Sequence, residues 1–119
     1  MLGGVKDIAD VLSRGRFSLS SESSLQLEVD PYLREAFPGV EISREHRLDR
    51  ANRPDWLIDG RFVVEAKISR SSRRDTVRQV QRYAEFPQVE AIVLITGRSM
   101  PPIRAAKPVL IVHLGRAWL

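Results

Sequence analysis

The residues best suited to chemistry fall within one apolar stretch. Pro54-Asp55 runs into Trp56-Leu57-Ile58, Asp59-Gly60 follows, and Arg61-Phe62-Val63-Val64-Glu65-Ala66-Lys67-Ile68 comes next. A charged side chain in an apolar strand is costly unless it is paired or holds an ion. Strand alternation puts Val63, Glu65 and Lys67 on one face and assigns Phe62, Val64, Ala66 and Ile68 to the core. Asp59-Gly60 predicts a hairpin between the two runs. A two-residue turn would pair Ile58 with Arg61 and send Asp55 to the face opposite Glu65. A three-residue loop, Ile58-Asp59-Gly60 with Gly60 left-handed, would pair Leu57 with Arg61. Asp55 then lies diagonally from Glu65 on one face, roughly 7–8 Å away between backbones. The second arrangement is the one expected, because two carboxylates at that reach can share a hard cation.

Pro54-Asp55, nine residues, then Glu65-Ala66-Lys67 resembles the signature of the PD-(D/E)XK nuclease superfamily. The resemblance implies an α/β fold, a central mixed β-sheet flanked by helices, with an αβββαβ restriction-endonuclease-like core from about Ser20 to Leu114. It implies that Asp55 and Glu65, with the carbonyl of Ala66, hold Mg2+ or Mn2+. Lys67 would orient or activate the attacking water and steady the phosphate, and cleavage of the phosphodiester would leave a 5′-phosphate. General chemistry agrees: a bound cation lowers the pKa of its water and offsets charge building on the phosphate. A lysine beside it aims a further positive charge at the same oxygens. The competing reading is a salt-bridged hairpin in which Glu65 pairs with Lys67 or an arginine.

The superfamily usually adds a glutamate from the helix before the strands. Glu22, followed by Leu25, fits that spacing best, with Glu28 as the alternative and Glu35 more distant; an acid there also stabilises a helix N-terminus without any catalytic role. Gln79 and Tyr83 share a helix face at i and i+4 and resemble a Gln-x-x-x-Tyr motif of RecB-type and lambda-exonuclease-type nucleases. They support the lysine or touch the DNA backbone, or else Tyr83 packs beside Val80. Arg74, Arg78 and Arg82 recur every fourth residue as a basic stripe, either a phosphate contact or a solvated face. Arg70 and Arg73, just after the Lys67 strand, are equally placed to meet phosphates.

These residues need elements to position them. Val5, Ile8, Ala9 and Leu12 predict a helix stopped at Gly15. Ser20 or Ser21 caps a second helix carrying Leu25, Val29, Leu33 and Phe37. Pro31 either interrupts it or, with Asp30 as cap, starts a separate short helix. Pro38-Gly39 ends this region. Alternation of Val40, Ile42, His46 and Leu48 predicts a strand, followed by strands over Arg53–Ile58 and Arg61–Ile68. Ser72 caps a helix running to Phe86. Ala91–Ile95 reads as a buried strand, and Val109–Leu114 as a last one.

The whole chain of 119 residues is expected to form one domain. It has no cysteine, which excludes thiolate nucleophiles and zinc-thiolate sites. The N-terminus shows no signal pattern and no apolar run is long enough to span a bilayer, so a cytoplasmic setting without membrane is expected, in a bacterial, archaeal or phage-infected cell. The net charge is +4, with 16 of the 19 basic residues arginine, a composition compatible with DNA as partner. No organic cofactor is called for. The expected function is that of a minimal metal-dependent deoxyribonuclease in DNA recombination, repair or phage DNA processing. Holliday-junction resolvases of the superfamily act as two-fold dimers, which makes a homodimer an expectation; the Gln-x-x-x-Tyr motif leans toward end-acting exonucleases. The other class of function is a non-catalytic nucleic-acid-binding or assembly subunit on the same fold.

Overall fold

The computed structural model describes residues 2–68 and 72–114. Its elements in chain order are α1 (Val5–Arg14), α2 (Glu22–Ala36), β1 (Ile42–Arg44), β2 (Trp56–Ile58), β3 (Phe62–Lys67), α3 (Arg73–Ala84), β4 (Ala91–Thr96) and β5 (Val109–His113). The strands form one mixed sheet in the order β1-β2-β3-β4-β5. The first two pairings are antiparallel, and β3-β4 and β4-β5 are parallel. The fold is therefore α/β, with three described helices on a five-stranded sheet. No described helix is long and apolar enough to cross a membrane.

Both faces of the sheet are covered. Trp56, Ile58, Phe62, Val64, Ala66, Val93 and Ile95 pack with Ile8, Leu12, Leu25, Val29 and Leu33 of α1 and α2. Leu57, Val63, Ile92 and Leu94 point the other way and pack under Val80, Tyr83 and Ala84 of α3. The sequence assigned only the first of these faces to the core; Val63 shows that the second is a core too. All six residues of β4 are buried, as a central parallel strand with helices on both sides requires.

Ser21 is the cap of α2, its hydroxyl accepting from the Ser24 N–H. Pro31 does not divide that helix, which runs unbroken through it. Pro31 and Leu27 both lie on the exposed side, so the Leu27 carbonyl that loses its intrahelical partner to the proline faces water. The strand expected to continue through His46 and Leu48 stops at Arg44. Glu45 has φ 51 and turns the chain away from the sheet.

The hairpin settles where Asp55 points. Trp56 pairs with Val64, Leu57 with Val63 and Ile58 with Phe62. This is not the Leu57–Arg61 pairing expected, because the loop residues are Asp59, Gly60 and Arg61. Asp59 and Gly60 have φ 57 and 70, and the Arg61 N–H closes the turn on the Ile58 carbonyl. The register is displaced by two residues, an even number, so the side-chain faces are unchanged. Asp55 lies just before the first pair of the ladder, on the face of Glu65, and its N–H meets the Glu65 carboxylate.

Candidate active site

Asp55 and Glu65 lock together through each other's backbone. The Asp55 N–H donates to Glu65 Oε1 at 3.1 Å, and the Ala66 N–H donates to Asp55 Oδ2 at 2.9 Å. Lys67 Nζ lies 3.6 Å from Glu65 Oε2. From α3, which covers the sheet face that Asp55 and Glu65 share with Leu57 and Val63, comes Tyr83, whose hydroxyl donates to Glu65 Oε1 at 3.4 Å. Glu65 is 3% exposed, while Asp55 and Lys67 are half-buried at the sheet's end.

The cap at Ser21 places Glu22 as the first residue of α2, where its Oε2 accepts the Ile68 N–H at 3.2 Å. Of the three glutamates weighed for this helix, Glu22 is the one brought to the end of β3. Glu28 instead accepts the Ser18 N–H, and Glu35 lines a cavity between α1 and α2 with Tyr32.

The electrostatics are those of carboxylates crowded out of water. Burial pushes the Glu65 carboxyl up to about 7, and the charge of Asp55 adds to this; the Asp55 N–H, Lys67 and the Tyr83 hydroxyl pull the other way. Burial also raises Asp55, against the Ala66 N–H and Lys67, with the charge of Glu22 adding to the rise. Tyr83 is raised by its own burial and by Glu65. A proton or a cation relieves such a pair.

The donor set suits a small hard cation. Among the described residues, no hydrogen bond goes to Asp55 Oδ1 or to Glu65 Oε2. In an extended strand, the N–H and C=O of one residue point to the same edge. The Ala66 carbonyl therefore lies on the side where its N–H meets Asp55. Two carboxylate oxygens and a carbonyl make a small oxygen set of the kind Mg2+ accepts, with water and phosphate completing it. Among the described residues no group of three or more His, Cys, Asp or Glu side chains is placed to hold a metal ion.

The remaining candidates divide. Arg74, Arg78 and Arg82 are all exposed on α3, as the spacing predicts. Arg82 is also tethered, its Nε donating to Oδ1 of buried Asn52 at 3.2 Å. Gln79 and Lys67 line the same cavity. Tyr83 is fully buried and corrects one expectation: its hydroxyl is spent on Glu65, and no part of it reaches a nucleic-acid backbone. Arg73 lies exposed at the start of α3, with Nη2 on the Ser99 carbonyl at 3.3 Å. Arg70 lies outside the described residues.

Two arginines near the site escaped the sequence reading. Arg44 stacks on the Trp56 ring with 5.0 Å to the centroid and donates to Gln26 Oε1, and its charge lowers the Asp55 carboxyl's pKa. The signal was present: Arg44 alternates with Ile42 on the core-facing side of a strand, where a charge is expensive. Arg98 stands after Gly97 beyond the end of β4, where open α/β sheets place ligands. No protein-family model, curated protein sequence or solved structure matches the chain.

Proposed function

We propose that this chain is a metal-dependent phosphodiesterase that cleaves DNA, built on the αβββαβ core of the PD-(D/E)XK nucleases. One observation carries the reading: Asp55 and Glu65 face each other at the end of the hairpin, each with an oxygen that accepts no hydrogen bond among the described residues, and Lys67 stands 3.6 Å from Glu65. A hairpin built only for stability gains nothing from two buried acids and one lysine, since a buried ion pair barely repays its desolvation.

Asp55, Glu65 and the Ala66 carbonyl would hold Mg2+ or Mn2+, which supplies a water of lowered pKa and a counter-charge for the phosphate. Tyr83 holds the Glu65 carboxylate from α3, so the side chain would not swing on binding an ion. Lys67, at the mouth, directs its ammonium at the non-bridging phosphate oxygens, a charge most valuable where negative charge grows in the transition state. Glu22, held by the Ile68 N–H, sits one step back and adds negative charge near Asp55. The exposed arginines of α3 hold the strand without reading its sequence.

The hydrogen bonds that Asp55 and Glu65 exchange with the backbone favour a second reading, in which the acids are structural and the chain only binds nucleic acid. Incubation with linear, nicked, flapped and four-way DNA in Mg2+ and in Mn2+ separates the two. Cleavage that EDTA abolishes is expected; binding without cleavage of any substrate returns the chain to the second reading. Cutting of a four-way junction at two symmetric positions would support the homodimer.

A further inference from the structure

The connection between β1 and β2 is longer than a hairpin needs. Residues 45–55 lie between Arg44 and Trp56, which are partners in register; roughly two to five residues are the common length. The Glu45 N–H closes its base on the Asp55 carbonyl at 2.9 Å. The Asp55 N–H, in turn, meets Glu65. The loop therefore starts and ends beside the acids of the candidate site, on the β1–β2 side of the sheet.

Ordering a loop costs conformational entropy at every residue, and this one is held without helix or strand. Asp49 Oδ1 accepts the N–H groups of Ala51 and Asn52, each at 2.8 Å, and the Asn52 side-chain amide at 3.0 Å. An aspartate that bonds the backbone two residues on is a turn-former. The Asn52 carbonyl accepts the Leu48 N–H at 2.8 Å. Leu48 packs against the core under α3, and Asn52 is buried. Asn52 Oδ1 accepts Arg82 Nε at 3.2 Å, which ties the loop to α3. Arg82 lines one cavity with Lys67 and Gln79, so the anchor too lies beside the site.

The residues that turn inward explain how the loop holds its shape; those that turn outward do not. Arg47 and Arg50 are exposed, and neither forms an ion pair among the described residues. Arg53 meets Glu45 at 3.6 Å in an exposed pair, a contact of little strength. Asp49 is the sole acid between His46 and Arg53, and it is spent on amides. Stability gains nothing from two free guanidiniums on a chain of net charge +4. Cations on a preformed loop do, however, meet an anion at small ordering cost, and their forks match phosphate oxygens. The loop joins the arginine stripe of α3 at Arg82. Two cationic surfaces with a common anchor suit an anion whose charges repeat, as phosphates do along a nucleic-acid strand.

We propose that the loop from His46 to Arg53 is a preformed contact for the nucleic-acid backbone, in which Arg47 and Arg50 each meet a phosphate on the β1–β2 side of the acids. The inference rests on the nuclease reading for its partner. The test is equilibrium binding of a labelled DNA duplex in EDTA at several salt concentrations, so that cleavage plays no part. Arg47→Ala with Arg50→Ala should lower the salt slope by about two units and weaken binding about tenfold. Both residues are exposed, so the fold is kept. Arg14→Ala with Arg16→Ala removes the same charge from exposed positions at the end of α1 and should leave the slope as it was. Asp49→Ala gives the sharper test, because two accounts predict opposite signs. Removing an acid makes the chain more positive, so a loop of merely solvated charges would bind DNA more tightly. In the proposed contact the turn is lost and the arginines lose their placement, so Asp49→Ala should bind several-fold more weakly. Asp49→Asn keeps an oxygen for the three donors and should bind at least as tightly as the wild type. An unchanged slope in the Arg47–Arg50 variant, an equal loss in the Arg14–Arg16 variant, or tighter binding by Asp49→Ala overturns the proposal. The expected losses in a protein that cuts no DNA in Mg2+ would uphold the loop and defeat the nuclease reading; cleavage with unaltered binding by the loop variants would do the reverse.

Discussion

Glu65 is ionised near 4.5 in an unfolded chain, but burial and the neighbouring Asp55 hold its proton up to about 7 in the folded one. Between those values the folded state binds more protons. Stability is then fully present below about pH 4.5 and is lost as pH rises through about 7. Glu65→Gln keeps an oxygen for the Asp55 N–H and removes the charge. Thermal melts should show the variant equal to the wild type at pH 4 and more stable at pH 8. A cation that binds the ionised pair acts in the same window, so Mg2+ should raise the wild-type melting temperature at pH 8 and hardly at pH 5. An equal rise in Glu65→Gln would remove Glu65 from the ion's ligands. Tyr83→Phe deletes the hydroxyl that favours ionised Glu65. The acidic limb of the pH–rate profile should therefore move to higher pH, with activity at neutral pH down by roughly tenfold; an unmoved limb would make Tyr83 a packing residue only. The sequence displayed Asp55, Glu65 and Lys67 because they interrupt apolar runs. It could not display the role of Tyr83: helical spacing shows which residues share a face, but not how deeply that face is buried.

At the scale of elements, the hairpin was legible in parity and not in register. Asp59-Gly60 announced a turn with positive φ, and the structure has it, yet Arg61 joins the loop and shifts the pairing by two residues. Because strand side chains alternate, that shift leaves Asp55 and Glu65 on one face and brings them closer. β1 was misjudged because Glu45 takes a left-handed conformation that alternation does not reveal. The α2 helix was hard to read for the opposite reason: Pro31 is a breaker by propensity, tolerated here because the carbonyl it orphans is on the solvent side. The stripe on α3 gives the prediction at this scale. Arg74, Arg78 and Arg82 are exposed along the helix that borders the site, and no carboxylate pairs with them among the described residues. If each meets a phosphate, each substitution by alanine lowers the salt dependence of DNA binding by about one unit and weakens all sequences alike. Turnover at saturating DNA should change little, because these contacts hold ground state and transition state equally. A triple Ala variant with an unchanged salt slope would make the stripe a solvated face.

Across the whole molecule, a five-stranded sheet carries α1 and α2 on one face and α3 on the other, and the candidate site opens where β3 and β4 end. The order of elements was legible because apolar periodicity changes at each boundary. The parallel pairing of β3, β4 and β5 and the second core under α3 were not, since they depend on which distant segments meet. The same limit hid Arg98, which reaches the site only because β4 runs beside β3. This layout puts the acids at the sheet's end, Lys67, Arg73 and Arg98 beside them, and the exposed arginines of α3 along one side. The most direct test is single-turnover cleavage of end-labelled, 5′-phosphorylated duplex and single-stranded DNA in Mg2+, by the wild type and by Asp55→Asn with Glu65→Gln. These substitutions keep shape and remove the charges that would hold the ion. The wild type should release products bearing 5′-phosphates, and the double variant should bind the same DNA and cut it at least a thousandfold more slowly, roughly the loss that follows removal of a principal transition-state contact. Equal cleavage by both proteins would contradict the assignment of the site, and no cleavage by the wild type in either Mg2+ or Mn2+ would contradict the enzyme itself.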